Sequence, residues 1–352
     1  MGGKKKLRGL LGILKDNASL IKSILSIKRT TCSIHVAVLR ATTHSSSPPP
    51  DHRVTAVLSL GNGSRATACT CVAAIMDRLH RSHTAWVSLK CLVVLHSIIT
   101  RGSFILKDQF SFYPSAGGSN YLNLSQFRDT TDAETWGLSS WVRWYASVLE
   151  RNLMTSRVLG SYFCCSSVKT DRLKDSHDVI SSMDSHLLKE MDALVGMVEE
   201  ICRAPESLHY QRNDLVYEVL RLVVEDYGST QYQILIRLTE FGDRVSGLSS
   251  GELAELGLCL KRLEECRERL VELFVNRKRN DAFWDLIDHT KIKIAKVKEA
   301  REREMILVKF RRREGETEST RIGERVMGVS QLLGLPWLGS DRLQLTVQTA
   351  MA

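Results

Sequence analysis

No stretch of this 352-residue chain approaches the roughly 18 uncharged apolar residues of a membrane-crossing helix, so no span is expected. Convincing alternation of apolar and polar residues is missing too, which argues against β-structure. Phosphate-cradling loops are absent: Gly61-Asn-Gly63-Ser64 has no third glycine and no strand before it, and no G-x-x-x-x-G-K-[ST] occurs. No H-E-x-x-H pair is present, and His80 and His83 have no acid or cysteine at ligand spacing, so they read as solvated. With no catalytic constellation to assemble, the chain is expected not to be an enzyme and to need no cofactor or metal.

Targeting and redox signals are equally sparse. The basic N-terminus is interrupted by Asp16, Asn17 and Lys22 and has no cleavage site, so it is not a secretory signal. Met1-Gly2 invites N-myristoylation, but Lys6 stands where Ser or Thr is expected. The nine cysteines are odd in number and irregularly spaced; Cys69-Thr-Cys71 and Cys164-Cys165 lack zinc-site spacing. They read as reduced, mostly buried thiols of a cytosolic protein. The sequons at Asn62 and Asn123 then carry no weight.

Charge is what the chain has in uneven supply. The net +9 is built from 49 Lys plus Arg against 40 Asp plus Glu. Residues 1–53 hold ten basic and two acidic side chains, a net of +8; residues 291–313 hold ten against three, a net of +7. The remainder is therefore mildly acidic, at −6. Such asymmetry points to an anionic surface as partner. The late basic segment carries Lys291, Lys293, Lys296, Lys298, Arg301 and Arg303 spread round one helix, without the aromatic residues that stack on bases. It reads as a long helix with solvated cations, and no nucleic-acid partner is expected.

Helical periodicity dominates the chain. Leu7, Leu10, Leu11, Leu14, Ala18, Ile21 and Leu25 mark one helix face over 7–25, which reads as a core-facing stripe. A second helix is predicted over about 28–43, ended by the Ser45-Ser-Ser-Pro-Pro-Pro50 segment. Further helices are predicted over 53–60, 65–81, 85–101, 103–112, 134–165, 172–203, 207–225, 229–246, 250–274 and 276–311. The class is all-α, with consecutive helices stacked as antiparallel neighbours in a superhelix or bundle. Lys90 and His96 lie in an apolar helix and read as structural; Trp141, Trp144 and Tyr145 read as packing residues. Residues 312–352 change character and read as a loosely ordered tail with one apolar island, Leu332 to Leu338.

Four blocks in register carry a specific resemblance. Leu39-Arg-Ala-Thr-Thr-His44 precedes a Pro-rich loop and Asp51-His-Arg53; Ala85-Trp-Val-Ser-Leu-Lys-Cys-Leu-Val-Val-Leu-His96 follows. Leu122-Asn-Leu-Ser-Gln-Phe-Arg-Asp129 and Ser140-Trp-Val-Arg-Trp-Tyr-Ala146 complete the set. Together they resemble the ANTH domain of the clathrin-assembly adaptors, a CALM-like endocytic family, in its plant type. The resemblance covers roughly 1–311 and implies a right-handed α-solenoid that binds phosphatidylinositol 4,5-bisphosphate on a shallow basic surface. It also implies clathrin heavy chain, reached directly or through others, and R-SNARE helices or other vesicle cargo as partners. Plasma-membrane coated pits, coated vesicles and the Golgi are the implied locations.

The implied headgroup residues transfer only in part. Arg40 stands at the first lysine of the family motif, Pro50 removes the second, and His52 and Arg53 hold the final basic pair in swapped order. Weaker lipid binding than in members with the full motif is therefore expected. Lys4, Lys5, Lys6, Lys28 and Arg29 are assigned an auxiliary electrostatic part, each near-surface cation contributing about 1 kcal/mol at an anionic leaflet. The family's clathrin-binding peptides are missing from the tail. Leu332-Leu-Gly-Leu335 has the apolar part of a clathrin box, but Pro336 replaces its acid, and Asp108-Gln-Phe110 and Asp281-Ala-Phe283 are expected to be locked in helices.

Overall fold

A computed structural model describes residues 11–21, 29–113, 122–162, 179, 182–206, 213–273 and 281–332, with the side chains of 29, 30 and 310–332 left aside. Helix α1 covers residues 11–21. It is followed by α2 (Arg29–Ala41), α3 (Asp51–Gly61), α4 (Arg65–Arg81), α5 (Ala85–Arg101) and α6 (Phe104–Ser111). Then come α7 (Ala133–Leu159), α8 (Asp184–Cys202), α9 (Asp214–Arg244), α10 (Ser250–Glu265), α11 (Arg267–Leu273) and α12 (Asp281–Leu332). No strand occurs among the described residues, so the all-α class holds.

Local chemistry sets the helix ends. Ser64 caps α4 and Asp132 caps α7, each in a reciprocal box with the threonine three residues on, satisfying amides that the first turn leaves without helical partners. Ser249 caps α10 in the same way with Glu252, so the Gly247-Leu-Ser-Ser-Gly251 stretch, which spells a nucleophile elbow, is a helix start. Gly160 ends α7 at φ 68°, in the left-handed region where glycine carries no Cβ penalty.

Packing overrides local propensity twice. The two helices predicted over 207–225 and 229–246 are one, α9, running through Gly228. Glycine costs a helix about 1 kcal/mol relative to alanine, but Asp226, Tyr227, Thr230 and Ile234 on either side are all buried and hold the helix continuous. Conversely, the helix predicted over 250–274 divides at Cys266 into α10 and α11.

The core is organised around α5. Fourteen of its seventeen residues are buried, as expected of a helix that is apolar all round. It contacts α2, α3, α4, α6, α7 and α9. From there the stack proceeds from α7 to α8, and α8 packs on α9, α10 and α11. Trp141 and Tyr145 are fully buried, and Trp144 donates from Nε1 to the Glu200 carbonyl at 3.0 Å, which fits their reading as packing residues. Phe110 and Phe283 are buried in helices, so neither Asp-x-Phe peptide is available as an extended ligand.

The chain divides into two units, residues 1–294 and 295–352. In the first, Lys291 pairs with Glu264 at 2.5 Å and Lys293 donates to the Gly242 carbonyl at 3.2 Å, so part of the late basic charge is used internally. In the second, Arg303 pairs with Glu299 at 2.5 Å, and Met305, Ile306, Leu307 and Val308 are exposed.

Candidate functional site

The turn between α2 and α3 is where the backbone must leave a buried helix without losing its hydrogen bonds. Thr42 is fully buried and its hydroxyl returns to the Val38 carbonyl at 2.7 Å. The following polar groups are bound by charged side chains from three other helices. Arg78 of α4 donates to the Thr42 carbonyl at 3.0 Å. Lys90 of α5 donates to the Thr43 carbonyl at 3.0 Å, to the Thr43 hydroxyl at 3.2 Å and to the Ser45 hydroxyl at 2.8 Å. Asp16 of α1 accepts from the His44 amide at 3.0 Å and lies 2.6 Å from the His44 ring nitrogen Nδ1.

These charged groups are far from their ordinary solvent environment. Burial lowers the Lys90 ammonium pKa to about 8, helped by the positive charge of Arg53 and opposed by Asp16. Burial pushes the Asp16 carboxyl up, but its hydrogen bonds to His44 and the charges of His44 and Arg78 more than offset that and hold it below the usual range. Lys90 is only 1% exposed, so it acts structurally, as its apolar surroundings suggested, but on the turn itself.

The headgroup candidates lie at the two ends of this clamped turn. Arg40 is exposed in the last turn of α2. Arg53 is half-buried in the first turn of α3, and its Nη1 donates to the Arg40 carbonyl at 2.9 Å. The structure thus brings Arg40 and Arg53 together. His52 is exposed and precedes Arg53 in the first turn of α3. Pro50 occupies the N-cap of α3 and offers no side-chain cap. Asp51 pairs with Arg101 of α5 at 2.6 Å, and that hydrogen bond and charge lower its pKa. Of the auxiliary cations, Lys4, Lys5, Lys6 and Lys28 lie outside the described residues, as does the Arg29 side chain; so does the tail island beyond Leu332, from Leu333 to Leu338.

Sequence reasoning placed Lys90 as structural but missed its hold on this turn, and it missed Arg101 and the Asp16–His44 contact. A lone lysine inside an apolar helix was the available signal for Lys90; nothing local marks Asp16 or Arg101.

The N-terminal helix corrects an expectation. Its apolar stripe does not face the core: Leu11, Leu14 and Ile21 are 50%, 63% and 60% exposed. The polar face turns inward because Asp16 reaches His44 and Arg78, the latter at 3.3 Å. Gly12 permits the approach, since a Cβ there would lie 2.9 Å from the His44 Cβ.

A stack of helices with a basic, polar-clamped turn at its N-terminal end defines the class of all-helical superhelical modules. Residues 33–281 match the ANTH domain family, and the chain belongs to that family. It is 43% identical over 336 residues to the Arabidopsis thaliana protein named "Putative clathrin assembly protein At4g40080", covering 93% of this chain and 92% of that one. It is 32% identical over 297 residues to "Putative clathrin assembly protein At5g10410" of the same plant, covering 82% and 86%. A third Arabidopsis relative, "Putative clathrin assembly protein At5g65370", is 31% identical over 305 residues, covering 81% and 99%.

Proposed function

We propose that this chain is a non-enzymatic peripheral-membrane adaptor that binds phosphatidylinositol 4,5-bisphosphate and acts in clathrin-coat assembly and endocytosis. The observation that carries the lipid reading is the Arg53–Arg40 contact across a turn held from three sides. The Arg53 guanidinium, held at the α3 N-terminus, and the exposed Arg40 side chain suit a multiply phosphorylated headgroup, because each can donate paired N–H groups to phosphate oxygens and the helix end favours an anion. His52, exposed beside them, adds charge when protonated. The outward stripe of Leu11, Leu14 and Ile21 supplies apolar area for the bilayer interface.

Residues 1–311 form the membrane-binding module in this reading and 312–352 the tail, of which 312–332 are helical as the end of α12, not loosely ordered as the composition suggested. Clathrin heavy chain, met directly or through other coat proteins, and R-SNARE or other vesicle cargo are its protein partners. Plasma-membrane coated pits, coated vesicles and the trans-Golgi network are its places of work. No described helix is long and apolar enough to cross a membrane, so attachment rests on this surface.

Co-sedimentation with liposomes tests the lipid reading. More binding to bisphosphate vesicles than to neutral ones is expected, and equal binding to both would sink it. A second reading, a helical scaffold for SNARE or coat helices with little lipid specificity, draws support from the exposed Leu258 of α10 and Ile292 of α12 and from the loss of a motif cation to Pro50. Pull-down of such helices without any bisphosphate preference would favour it.

A further inference from the structure

Between Arg40 and Arg53 lies a feature that the adaptor reading does not use: Ser45, Ser46 and Ser47 are all exposed, and Ser47 directly precedes Pro48. We propose that Ser47 is a phosphorylation site, and that its phosphate takes the place of a lipid headgroup on the Arg40–Arg53 surface and switches membrane binding off. The second half of this proposal rests on the headgroup reading above; the first half does not.

The segment has the form that a proline-directed kinase accepts. Proline disfavours helix at the residue before it, and residues 43–50 are non-helical. Of the three serines only Ser47 precedes proline, and Ser45 is already engaged by Lys90 at 2.8 Å. In the transfer, the Ser47 hydroxyl oxygen attacks the γ-phosphorus of a nucleoside triphosphate. The bond from that phosphorus to its bridging oxygen breaks, the diphosphate leaves with the electron pair, and the hydroxyl proton passes to the kinase's base.

What makes the modification consequential is the charge beneath it. The Ser47 hydroxyl lies 3.2 Å from that of Ser45, which in turn accepts from the buried Lys90 ammonium. The hydrogen-bond acceptors of Lys90 at the turn are neutral oxygens, and it feels the negative charge of Asp16 and the positive charge of Arg53. The nearby acids are committed elsewhere, Asp16 to His44 and Arg78 and Asp51 to Arg101. Arg40, Arg53 and Lys90 therefore leave the turn positive. A phosphoserine brings close to two negative charges and three acceptor oxygens, and next to arginines it forms charge-assisted hydrogen bonds.

The test uses the full chain in three forms: unmodified, with phosphoserine installed at position 47, and Ser47→Ala. Incubation with ATP and a proline-directed kinase should label Ser47, and Pro48→Ala should abolish the labelling; failure to label the unmodified chain at Ser47 overturns the site. Phosphorus NMR should show the second ionisation of the phosphoserine at lower pH in the native chain than in the Arg40→Ala, Arg53→Ala double variant. Identical titrations would overturn the docking. In flotation with bisphosphate vesicles the phosphorylated form should bind about thirtyfold more weakly than the unmodified one, the effect of roughly two charges at an anionic surface, while Ser47→Ala binds normally. Equal binding of both forms overturns the switch. If the unmodified chain itself shows no bisphosphate preference, it is the headgroup reading that fails, and the NMR titration still decides where the phosphate sits.

Discussion

Arg53 donates from Nη1 to the main-chain carbonyl of Arg40 at 2.9 Å, so one candidate headgroup ligand is positioned by the backbone of the other. The bond joins the last turn of α2 to the first turn of α3 across a connection of nine residues. It also gives the two arginines different parts. Arg40 contributes a free-reaching cation, whereas Arg53 contributes a cation and the tie. Arg40→Ala should lower the apparent affinity for bisphosphate vesicles about fivefold, the worth of one near-surface charge, and leave thermal stability unchanged. Arg53→Ala should lower it further. Arg53→Lys, which keeps the charge but lacks the planar fork, should fall between the wild type and Arg53→Ala. Vesicle titration of the three variants orders them; a larger effect for Arg40→Ala than for Arg53→Ala would contradict the assignment.

Lys90 gives a prediction that needs no lipid. Its ammonium holds Thr43 and Ser45 from below, so Lys90→Met should leave those groups without their donor and destabilise the fold by about 1–3 kcal/mol in urea. The pH dependence has a definite sign. An unfolded lysine titrates near 10.4 and Lys90 in the fold titrates at about 8. Between these values the unfolded chain binds more protons, so stability contributed by this residue is lost as pH falls through 8 and is fully present above the unfolded value. The stability difference between wild type and Lys90→Met should therefore widen in favour of wild type from pH 8 to pH 10. A pH-independent difference would show that Lys90 is not buried as a cation.

Much of this architecture was legible in the sequence, and the failures have physical causes. Period-3.6 patterning located α4, α5 and α6 nearly to the residue because caps and breakers (Ser64, Gly102, Ser103) coincide with the ends of the apolar runs. Gly228 misled because a breaker acts locally while the burial of Asp226 and Thr230 is decided by distant helices. The stripe of Leu11, Leu14 and Ile21 misled for a related reason. Amphipathicity says that a helix has two faces, but which face turns inward was set by Asp16 finding His44 and Arg78, 28 and 62 residues away. Of the site, the sequence order showed that Arg40 and Arg53 flank one turn; that Lys90 and Arg101 converge on it depends on tertiary packing alone.

The same contact makes α1 separable from the rest of the fold. Asp16→Ala removes the acceptor of His44 and the partner of Arg78, and the exposed apolar stripe offers little packing to replace them. Hydrogen exchange over residues 11–21 should accelerate in this variant while the melting temperature of the remaining stack moves little. Acid should do the same to the wild type. Because the folded Asp16 carboxyl titrates below its unfolded value, the attachment it supplies is present above the unfolded pKa and is lost as pH falls through the folded one. Exchange in residues 11–21 that is insensitive to both changes would mean that other contacts hold the helix.

The outward stripe can be tested apart from the basic turn. Leu14→Glu and Ile21→Glu replace exposed side chains, so each should alter stability by no more than about 0.5 kcal/mol. Both place a carboxylate where apolar area would meet the headgroup region, and both should reduce binding to bisphosphate vesicles. Their signature differs from that of Arg40→Ala. Loss of an apolar contact is felt at all ionic strengths, whereas loss of a cation matters less as salt screens the surface. To keep the added charge from confusing the two, Leu14→Gln should serve as the neutral partner in the salt titration. Equal binding by Leu14→Gln and the wild type at high salt would remove the stripe from the membrane contact.

Deep in the stack, His96 and Asp226 offer the strongest stability test. Both are fully buried, His96 Nε2 lies 3.4 Å from Asp226 Oδ1, and Asn152 donates to Asp226 Oδ2 at 3.0 Å. On its other side the His96 ring lies 2.9 Å from the Tyr145 hydroxyl, so the cluster joins α5, α7 and α9. Removing one member of a buried polar cluster strands the others away from water. Asp226→Ala should therefore cost about 3–5 kcal/mol in denaturant unfolding, more than Arg40→Ala or Arg53→Ala at the basic turn. Asp226→Asn keeps the shape and one acceptor and should cost less. If the two variants are equally destabilised, the charge of Asp226, and not its hydrogen bond to Asn152, is what holds the three helices together.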